Sequence, residues 1–124
     1  MTRYINIQER TLDYAVRIVQ FCLKLQKSNE YRPLTNQLIR SGTSVGANME
    51  EADGAISKRD FINKVSISYK EAKESVYWLK IINRAGLLGD INNLNELDYL
   101  LKEGKEVRNI VASILKNARE KSNY

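Results

Sequence analysis

The sequence contains no histidine, and its 124 residues include one cysteine and one proline. Without histidine, neither a Ser-His-Asp triad nor a Cys-His nucleophile can be built, and histidine-containing zinc and di-iron sites are excluded. A single cysteine cannot form a thiolate cluster, and it gives no sign of an oxidising compartment. We therefore expect no enzyme, no metal and no cofactor, although an enzyme that uses carboxylates alone stays open.

Long apolar runs are also missing. The segment 1–8 lacks the apolar core of a signal peptide, and no run approaches the roughly 18–20 residues of a membrane helix. We therefore expect a cytoplasmic protein without a membrane partner. The 20 Lys and Arg residues outnumber the 15 Asp and Glu residues, and the pI is near 9.4. This balance favours an anionic partner such as RNA, DNA or an acidic protein, but a lysine-rich surface without such a partner explains it equally well.

Apolar residues recur at helical spacing throughout the chain. The pattern predicts helices over about 7–27, 36–53, 57–84 and 94–118, with N-caps or first residues at Asn6, Thr35, Ser57 and Asn93. At this length one domain, residues 1–124, is the default. Amphipathic helices joined by short loops predict an all-α, up-down-up-down four-helix bundle that is oligomeric.

Small residues dominate the centre of the second helix, where Gly42 and Gly46 lie one turn apart. Because glycine costs about 1 kcal/mol relative to alanine inside a helix, we expect these two to permit close approach of a neighbouring backbone. A phosphate-binding loop is the alternative, but no Gly-Lys-Ser/Thr signature follows.

Two surfaces predict self-association. The first helix carries two neighbouring apolar arcs, one containing Leu12, Val16 and Leu23 and the other Ile7 and Tyr14, which together span about 220° of the helical wheel. The outward face of the third helix is also apolar. A homo-oligomer would bury both, whereas a monomer would leave them as ordinary surface residues. The candidates for an interface between copies are Ile18, Phe21, Leu25, Ile67, Trp78 and Ile81.

A polar stripe runs along the second helix at positions i, i+4, i+8 and i+11. We interpret it as a structural hydrogen-bonded network in which an arginine meets carboxylates of its own or a neighbouring helix. A polar ligand site is the alternative interpretation. The network candidates are Arg40, Ser44, Asn48 and Glu51 on this stripe, with Glu71 and Glu74 on the third helix.

Basic residues are dispersed over the second half of the chain, and four of them share an arc of roughly 80° on the fourth helix. A solvated helix face is the plain interpretation, and a phosphate-binding surface is the functional one. The candidates for nucleic-acid contact are Lys58, Arg59, Lys64, Lys70, Lys73, Lys105, Arg108, Lys116 and Arg119. Three tyrosines, Tyr4, Tyr31 and Tyr124, could stack on single-stranded bases. Cys22 is predicted to be a buried, inert thiol.

A resemblance covers the second and third helices and fits the whole length. Its motifs are the run from Leu34 to Ala52, with the pattern Gln-Leu-x-Arg-Ser-x-x-Ser-Val-x-x-Asn-x-x-Glu, then Ser57–Phe61 and Ser68–Leu79. These segments resemble the four helix bundle protein family, which includes proteins encoded in intervening sequences of bacterial 23S rRNA genes. Accessory proteins of diversity-generating retroelements, which act alongside a reverse transcriptase, are more distantly similar.

This resemblance implies a ring-like homopentamer without enzymatic activity and with suspected nucleic-acid binding. The resulting hypothesis is a basic, non-enzymatic homo-oligomer that binds RNA or DNA without sequence preference. The alternative hypothesis is a scaffold or adaptor whose partner is another protein.

Overall fold

The computed structural model describes residues 6–121, which form four α-helices and one short 3-10 turn. The helices are α1 (Ile7–Leu25), α2 (Arg32–Asp53), α3 (Lys58–Arg84) and α4 (Ile91–Lys121), and the 3-10 turn spans Asn29–Tyr31. α1 packs against α2 and α4, and α3 packs against the same two helices. The bundle is therefore square in cross-section, and the predicted all-α four-helix architecture is confirmed.

Two of the predicted helix starts are confirmed by their caps. The Asn6 side chain accepts a hydrogen bond from the Glu9 amide at 2.9 Å, and Ser57 accepts one from the Asp60 amide at 3.0 Å. These caps satisfy amide groups that have no partner within the helix. Gly86, at φ +65°, lies just beyond α3 in the left-handed conformation that glycine adopts readily.

The other two starts were predicted too late. α2 begins at Arg32, so Pro33 lies in its first turn, and the Thr35 hydroxyl donates to the Tyr31 carbonyl at 3.1 Å instead of capping the helix. α4 begins at Ile91 because the Asp90 carboxylate accepts from the Asn92 amide at 2.7 Å, one turn ahead of the predicted cap. α1 is two residues shorter than predicted and ends at Leu25.

The glycines of α2 mark its closest contacts with α1. A β-carbon built on Gly46 would lie 3.1 Å from the Thr11 hydroxyl and 3.3 Å from its backbone carbonyl carbon, and one built on Gly42 would lie 2.5 Å from the end of Ile18. The prediction of close helix approach is confirmed. The alternative of a phosphate-binding loop is wrong, since both glycines lie inside a continuous helix.

The core contains the arc of α1 that was predicted to face another subunit. Ile18, Phe21 and Leu25 are buried against the other helices of their own chain, together with Tyr14. Their assignment to an interface between copies was therefore wrong. Two adjacent apolar arcs have the same helical periodicity, so the sequence pattern alone does not say which of them packs inward. The other arc faces outward: Leu12 is 61%, Val16 45% and Leu23 57% exposed.

Cys22 is buried and unpaired, as predicted, and burial raises the pKa of its thiol to about 12. The core side of α4 is formed by Leu97, Leu100, Gly104, Val107, Val111, Leu115 and Ala118.

Candidate functional site

The four long sides of the bundle differ in chemistry. The side between α1 and α4 is ion-paired. The Arg10 guanidinium donates to both carboxylate oxygens of Glu103 at 2.7 and 2.9 Å and to Glu106 at 2.6 Å. These hydrogen bonds, led by that to Glu103, raise the pKa of Arg10 despite its partial burial. Two turns further along α1, Arg17 pairs with Glu96 at 2.8 Å, and this hydrogen-bonded pair raises the pKa of Arg17. Both arginines of this side are engaged by carboxylates, so neither is available to a ligand. These ion pairs link α1 to α4.

The side between α2 and α3 is also ion-paired. Arg40 donates to Glu71 at 3.0 Å and to Glu74, and the Trp78 indole donates to Glu74 at 3.0 Å. The Arg40 side chain is 47% exposed, so this cluster lies at the surface rather than in the core.

The remaining members of the predicted polar network do not join this cluster. The Ser44 hydroxyl donates to the Arg40 carbonyl at 2.8 Å, and the Asn48 amide donates to the Ser44 carbonyl at 2.8 Å, both within α2. Glu51 pairs with Lys64 at 2.9 Å, and this contact raises the pKa of Lys64. The structure therefore splits the predicted stripe into two ion-paired clusters and two local backbone bonds.

An apolar groove of about 470 Å³ opens between α1 and α2. Its floor and walls come from Ala15, Val19, Gly46 and Ala47 together with the exposed side chains of Leu12 and Val16. The lining residues that carry polar side chains are Gln8, Gln20, Thr43 and Glu50. We call this surface, extended along α1 to Leu23, the apolar groove. It is concave because the α2 residues that line it, Gly46 and Ala47, have small side chains or none.

The side between α3 and α4 carries cations and one aromatic ring. A groove of about 320 Å³ is lined by Tyr69 of α3 and by Ala112, Leu115, Lys116, Arg119 and Glu120 of α4. The Lys73 ammonium lies 5.3 Å from the centre of the Tyr69 ring, a cation–π contact. Lys105 and Arg108 continue the α4 stripe toward the other end of the bundle. We call these residues the basic face: Tyr69, Lys73, Lys105, Arg108, Lys116 and Arg119.

Four cations of the basic face are not held in ion pairs as those of the ion-paired sides are. Within residues 6–121, Lys73, Lys105, Arg108 and Lys116 make no ion pair with a carboxylate, and Arg108 donates instead to the neighbouring Asn109 at 3.3 Å. Glu120 is the carboxylate that also lines the groove. The structure therefore concentrates exposed positive charge along one side of the bundle.

The other nucleic-acid candidates lie elsewhere. Lys58 and Arg59 are exposed at the start of α3, Lys64 is engaged by Glu51, and Lys70 is exposed on the outer surface of α3. The Tyr31 hydroxyl donates to the Leu87 carbonyl at 3.3 Å, and its ring is partly buried against the core. Tyr4 and Tyr124 lie outside the described residues. The sequence analysis did not single out Tyr69, whose ring packs partly against the core and also lines the groove between α3 and α4.

The outer surface of α3 retains three of the predicted interface residues. Ile67 is 36% exposed, and Trp78 and Ile81 are partly exposed. Tyr77, which is 58% exposed, packs edge-on against Trp78 with 5.5 Å between ring centres. We call Ile67, Tyr77, Trp78 and Ile81 the α3 ridge.

Within the part of the chain that the structure describes, no cluster of cysteine, aspartate and glutamate side chains could hold a metal ion. None of the described helices combines the length and apolar character that crossing a bilayer requires.

Comparison with known proteins identifies a family and a similar solved structure. The model of the 23S rRNA-intervening sequence protein family matches residues 3–113. A crystal structure of a protein of unknown function from the S23 ribosomal protein family of Bacteroides thetaiotaomicron is similar to this chain, with 34% identity and a TM-score of 0.80. The similarity covers 90% of this chain and 99% of that one. No curated protein sequence matches the chain.

Proposed function

Since the chain belongs to the 23S rRNA-intervening sequence protein family, we propose that it is a non-enzymatic, basic homo-oligomer that binds RNA or DNA without sequence preference, as an accessory factor to nucleic-acid processing. The observation that carries this proposal is the basic face, where Lys73, Lys105, Arg108 and Lys116, which make no ion pair with a described carboxylate, lie along one side of the bundle. We also propose a cytoplasmic location, where such partners would be met.

The chemistry of the basic face suits a phosphate backbone. Lysine and arginine neutralise phosphates and release condensed counterions, which produces affinity that does not depend on base sequence and that weakens as salt rises. The face is a stripe of lysine and arginine along α3 and α4, and it contains no asparagine or glutamine of the kind that pairs with adenine edges. We therefore expect binding to follow charge rather than sequence.

Self-association would strengthen such contacts. The formal charge of one chain is +5, a modest value, and a ring would repeat the basic face around its axis. The homopentamer that the family resemblance implies is the stoichiometry we propose. The exposed apolar groove supports self-association, because large apolar surfaces are rarely left open to water in a monomer.

A catalytic step is not part of the proposal. The carboxylates that could have served as acid and base are held in ion pairs: Glu71 and Glu74 by Arg40, and Glu51 by Lys64. None of these three carboxylates lines the apolar groove or the groove between α3 and α4, so neither cavity would bring a substrate to them.

The proposal is tested by titrating labelled single-stranded RNA and duplex DNA with the purified protein, using fluorescence anisotropy at about 50 mM salt. We compare the wild-type protein with a variant of the basic face, Lys105→Gln/Lys116→Gln. The matched control is Lys24→Gln/Lys27→Gln, which removes the same charge from exposed positions near the end of α1.

We expect micromolar or tighter binding by the wild-type protein and the control, and at least fivefold weaker binding by the basic-face variant. Equal loss in both variants would mean that only net charge matters and that the basic face is not the site. Absence of binding by the wild-type protein would overturn the proposal.

A protein adaptor is the second candidate function, and the apolar groove favours it. Of the residues that line this groove, Glu50 alone carries a charge, a composition typical of a protein-binding surface rather than a polyanion site. An adaptor would ignore RNA and DNA in the titration above, and Leu12→Lys would abolish its binding to a partner protein.

A further inference from the structure

The apolar groove and the α3 ridge are two different exposed surfaces of one chain, and we infer that they bind each other between copies. A contact between two different patches is heterologous, so it leads from one copy to the next and closes into a ring when the rotation allows it. This inference rests on the self-association in the proposed function and names the surfaces that would produce it.

Helical spacing supports a helix as the occupant of each surface. Leu12, Val16, Val19 and Leu23 are spaced 4, 3 and 4 residues apart, which is the spacing of a coiled-coil seam. In their own chain these side chains have no helix packed over them, since Leu12, Val16 and Leu23 are all about half exposed or more. The α3 ridge follows the same rule, because Ile67, Trp78 and Ile81 are separated by 11 and 3 residues.

Shape distinguishes the two surfaces. Glycine and alanine on α2 leave a concave groove beside α1, whereas the α3 ridge is a single helix from which Tyr77 projects, 58% exposed. A groove between two helices accepts one helix of a partner by placing its side chains between their rows. The α3 ridge supplies such a helix.

Charge complements shape. The apolar groove contains one charged residue, Glu50, and no cation among its lining residues. The C-terminal half of the α3 ridge is bordered by Lys80 and Arg84, and its own shallow cavity is lined by no acid. The two carboxylates nearest the ridge, Glu71 and Glu74, are already held by Arg40. Opposite charges around matching apolar centres set register and exclude wrong pairings.

Packing of the groove against the groove of a second copy is the competing arrangement. It would bring Glu50 of both copies to the same interface and leave the α3 ridge exposed. The heterologous contact covers both apolar surfaces with one kind of interface and leaves the basic face free on the neighbouring side of α3.

Two variants, each damaging one surface, separate these arrangements. The groove variant, Leu12→Lys/Val16→Lys, places cations where the basic border of the ridge would lie. The ridge variant, Ile67→Glu/Tyr77→Glu, places acids where Glu50 would lie. Controls at more exposed apolar positions outside both surfaces are Ile56→Glu and Ile91→Lys, with 93% and 65% exposure. Circular dichroism checks that every variant is folded, and light scattering after gel filtration gives the masses.

We expect the wild-type protein and both controls to share a mass that is a multiple of the 14.3 kDa chain, and each surface variant to be monomeric. An equimolar mixture of the two surface variants retains one intact groove and one intact ridge, so it should form a dimer and nothing larger. Disulfide trapping provides a second readout: Val16→Cys should cross-link to Tyr77→Cys in a mixture, and neither should cross-link to itself.

Other results overturn the inference. If the ridge variant keeps the wild-type mass while the groove variant is monomeric, or if Val16→Cys cross-links to itself, the grooves pack against each other. If the groove variant keeps the wild-type mass, the groove is not an interface, and absence of the mixed cross-link excludes the pairing. A monomeric wild-type protein would overturn self-association itself, whereas polyanion binding is judged separately by the titration.

Discussion

At the scale of single residues, two arginines that look alike in the sequence have different surroundings. Arg10 donates to Glu103 with both partners nearly buried, at 12% and 8% side-chain exposure, while Arg40 donates to Glu71 and Glu74 with almost half of its side chain in water. A charge left buried without its partner is far more costly than one left in solvent. The sequence pattern singled out Arg40 because it lies on a polar stripe, and it missed Arg10 because the partner is 93 residues away.

Arg10 is therefore expected to matter more for stability than Arg40. Removing one partner of a buried ion pair costs about 3 kcal/mol, so Arg10→Ala should lower the free energy of unfolding by about that amount. Arg40→Ala should lower it by at most about 1 kcal/mol, as for exposed pairs. Urea denaturation of both variants measures the difference. Equal losses for the two variants would contradict the assigned burial.

Two buried residues predict how stability depends on pH. Burial raises the pKa of the Cys22 thiol from 9.0 to about 12 and that of the Tyr14 hydroxyl from 10.0 to about 12, with a smaller opposing effect from the 2.9 Å hydrogen bond between Tyr14 and Ser75. The unfolded chain therefore loses these protons at lower pH than the folded one does. Their contribution to stability is complete below about pH 9 and declines as the pH rises toward 12.

We expect the urea midpoint of the wild-type protein to fall between pH 9 and 12, and the fall in Cys22→Ala to begin about one unit later, when Tyr14 titrates in the unfolded chain. Each protein is compared with its own midpoint at pH 7, so the packing lost in Cys22→Ala does not affect the comparison. Identical pH profiles for the two proteins would show that the thiol is not buried in the way described.

At the scale of the helices, sequence reasoning identified all four α-helices of residues 6–121 but not the short 3-10 turn, because helical periodicity and capping residues are local properties. The caps at Asn6 and Ser57 were predictable, whereas Pro33 and Asp90 moved two helix starts ahead of the expected residues. Which apolar arc of α1 packs into the core was not predictable. Its choice between two apolar arcs depends on which arc fits Gly42, Gly46 and Gly104 of other helices, and those contacts are long-range.

The contact between α1 and α2 predicts an effect of Gly46→Ala. The added β-carbon would lie 3.3 Å from the backbone of Thr11, which cannot move without shifting α1. Overpacking of this kind costs about 1–3 kcal/mol, which exceeds the gain of about 1 kcal/mol in helix propensity. Thermal unfolding should show a lower midpoint for Gly46→Ala. Gly89→Ala is the control, since a β-carbon there meets nothing within 4 Å; if both variants melt alike, the close approach is not a constraint.

At the scale of the whole molecule, the bundle has two sides fastened by ion pairs, one apolar side and one basic side. The ion pairs of the first two sides join α1 to α4 and α2 to α3. Composition gives the excess of positive charge but not its position on the surface. Lys64 and Lys73 look equivalent in the sequence, yet of these two the structure pairs only Lys64 with a carboxylate. The separation of an apolar side from a basic side suits a molecule that assembles through one and binds a polyanion through the other.

The salt dependence of RNA binding tests the central claim, the polyanion role of the basic face, most directly. Anisotropy titrations between about 50 and 200 mM salt give the slope of log affinity against log salt, which reports the number of phosphates neutralised. The account predicts a steep negative slope for the wild-type protein and for Lys24→Gln/Lys27→Gln. For Lys105→Gln/Lys116→Gln it predicts a slope that is less negative by about 1–2. Affinity that is insensitive to salt, or a slope unchanged by loss of the two basic-face lysines, would contradict it.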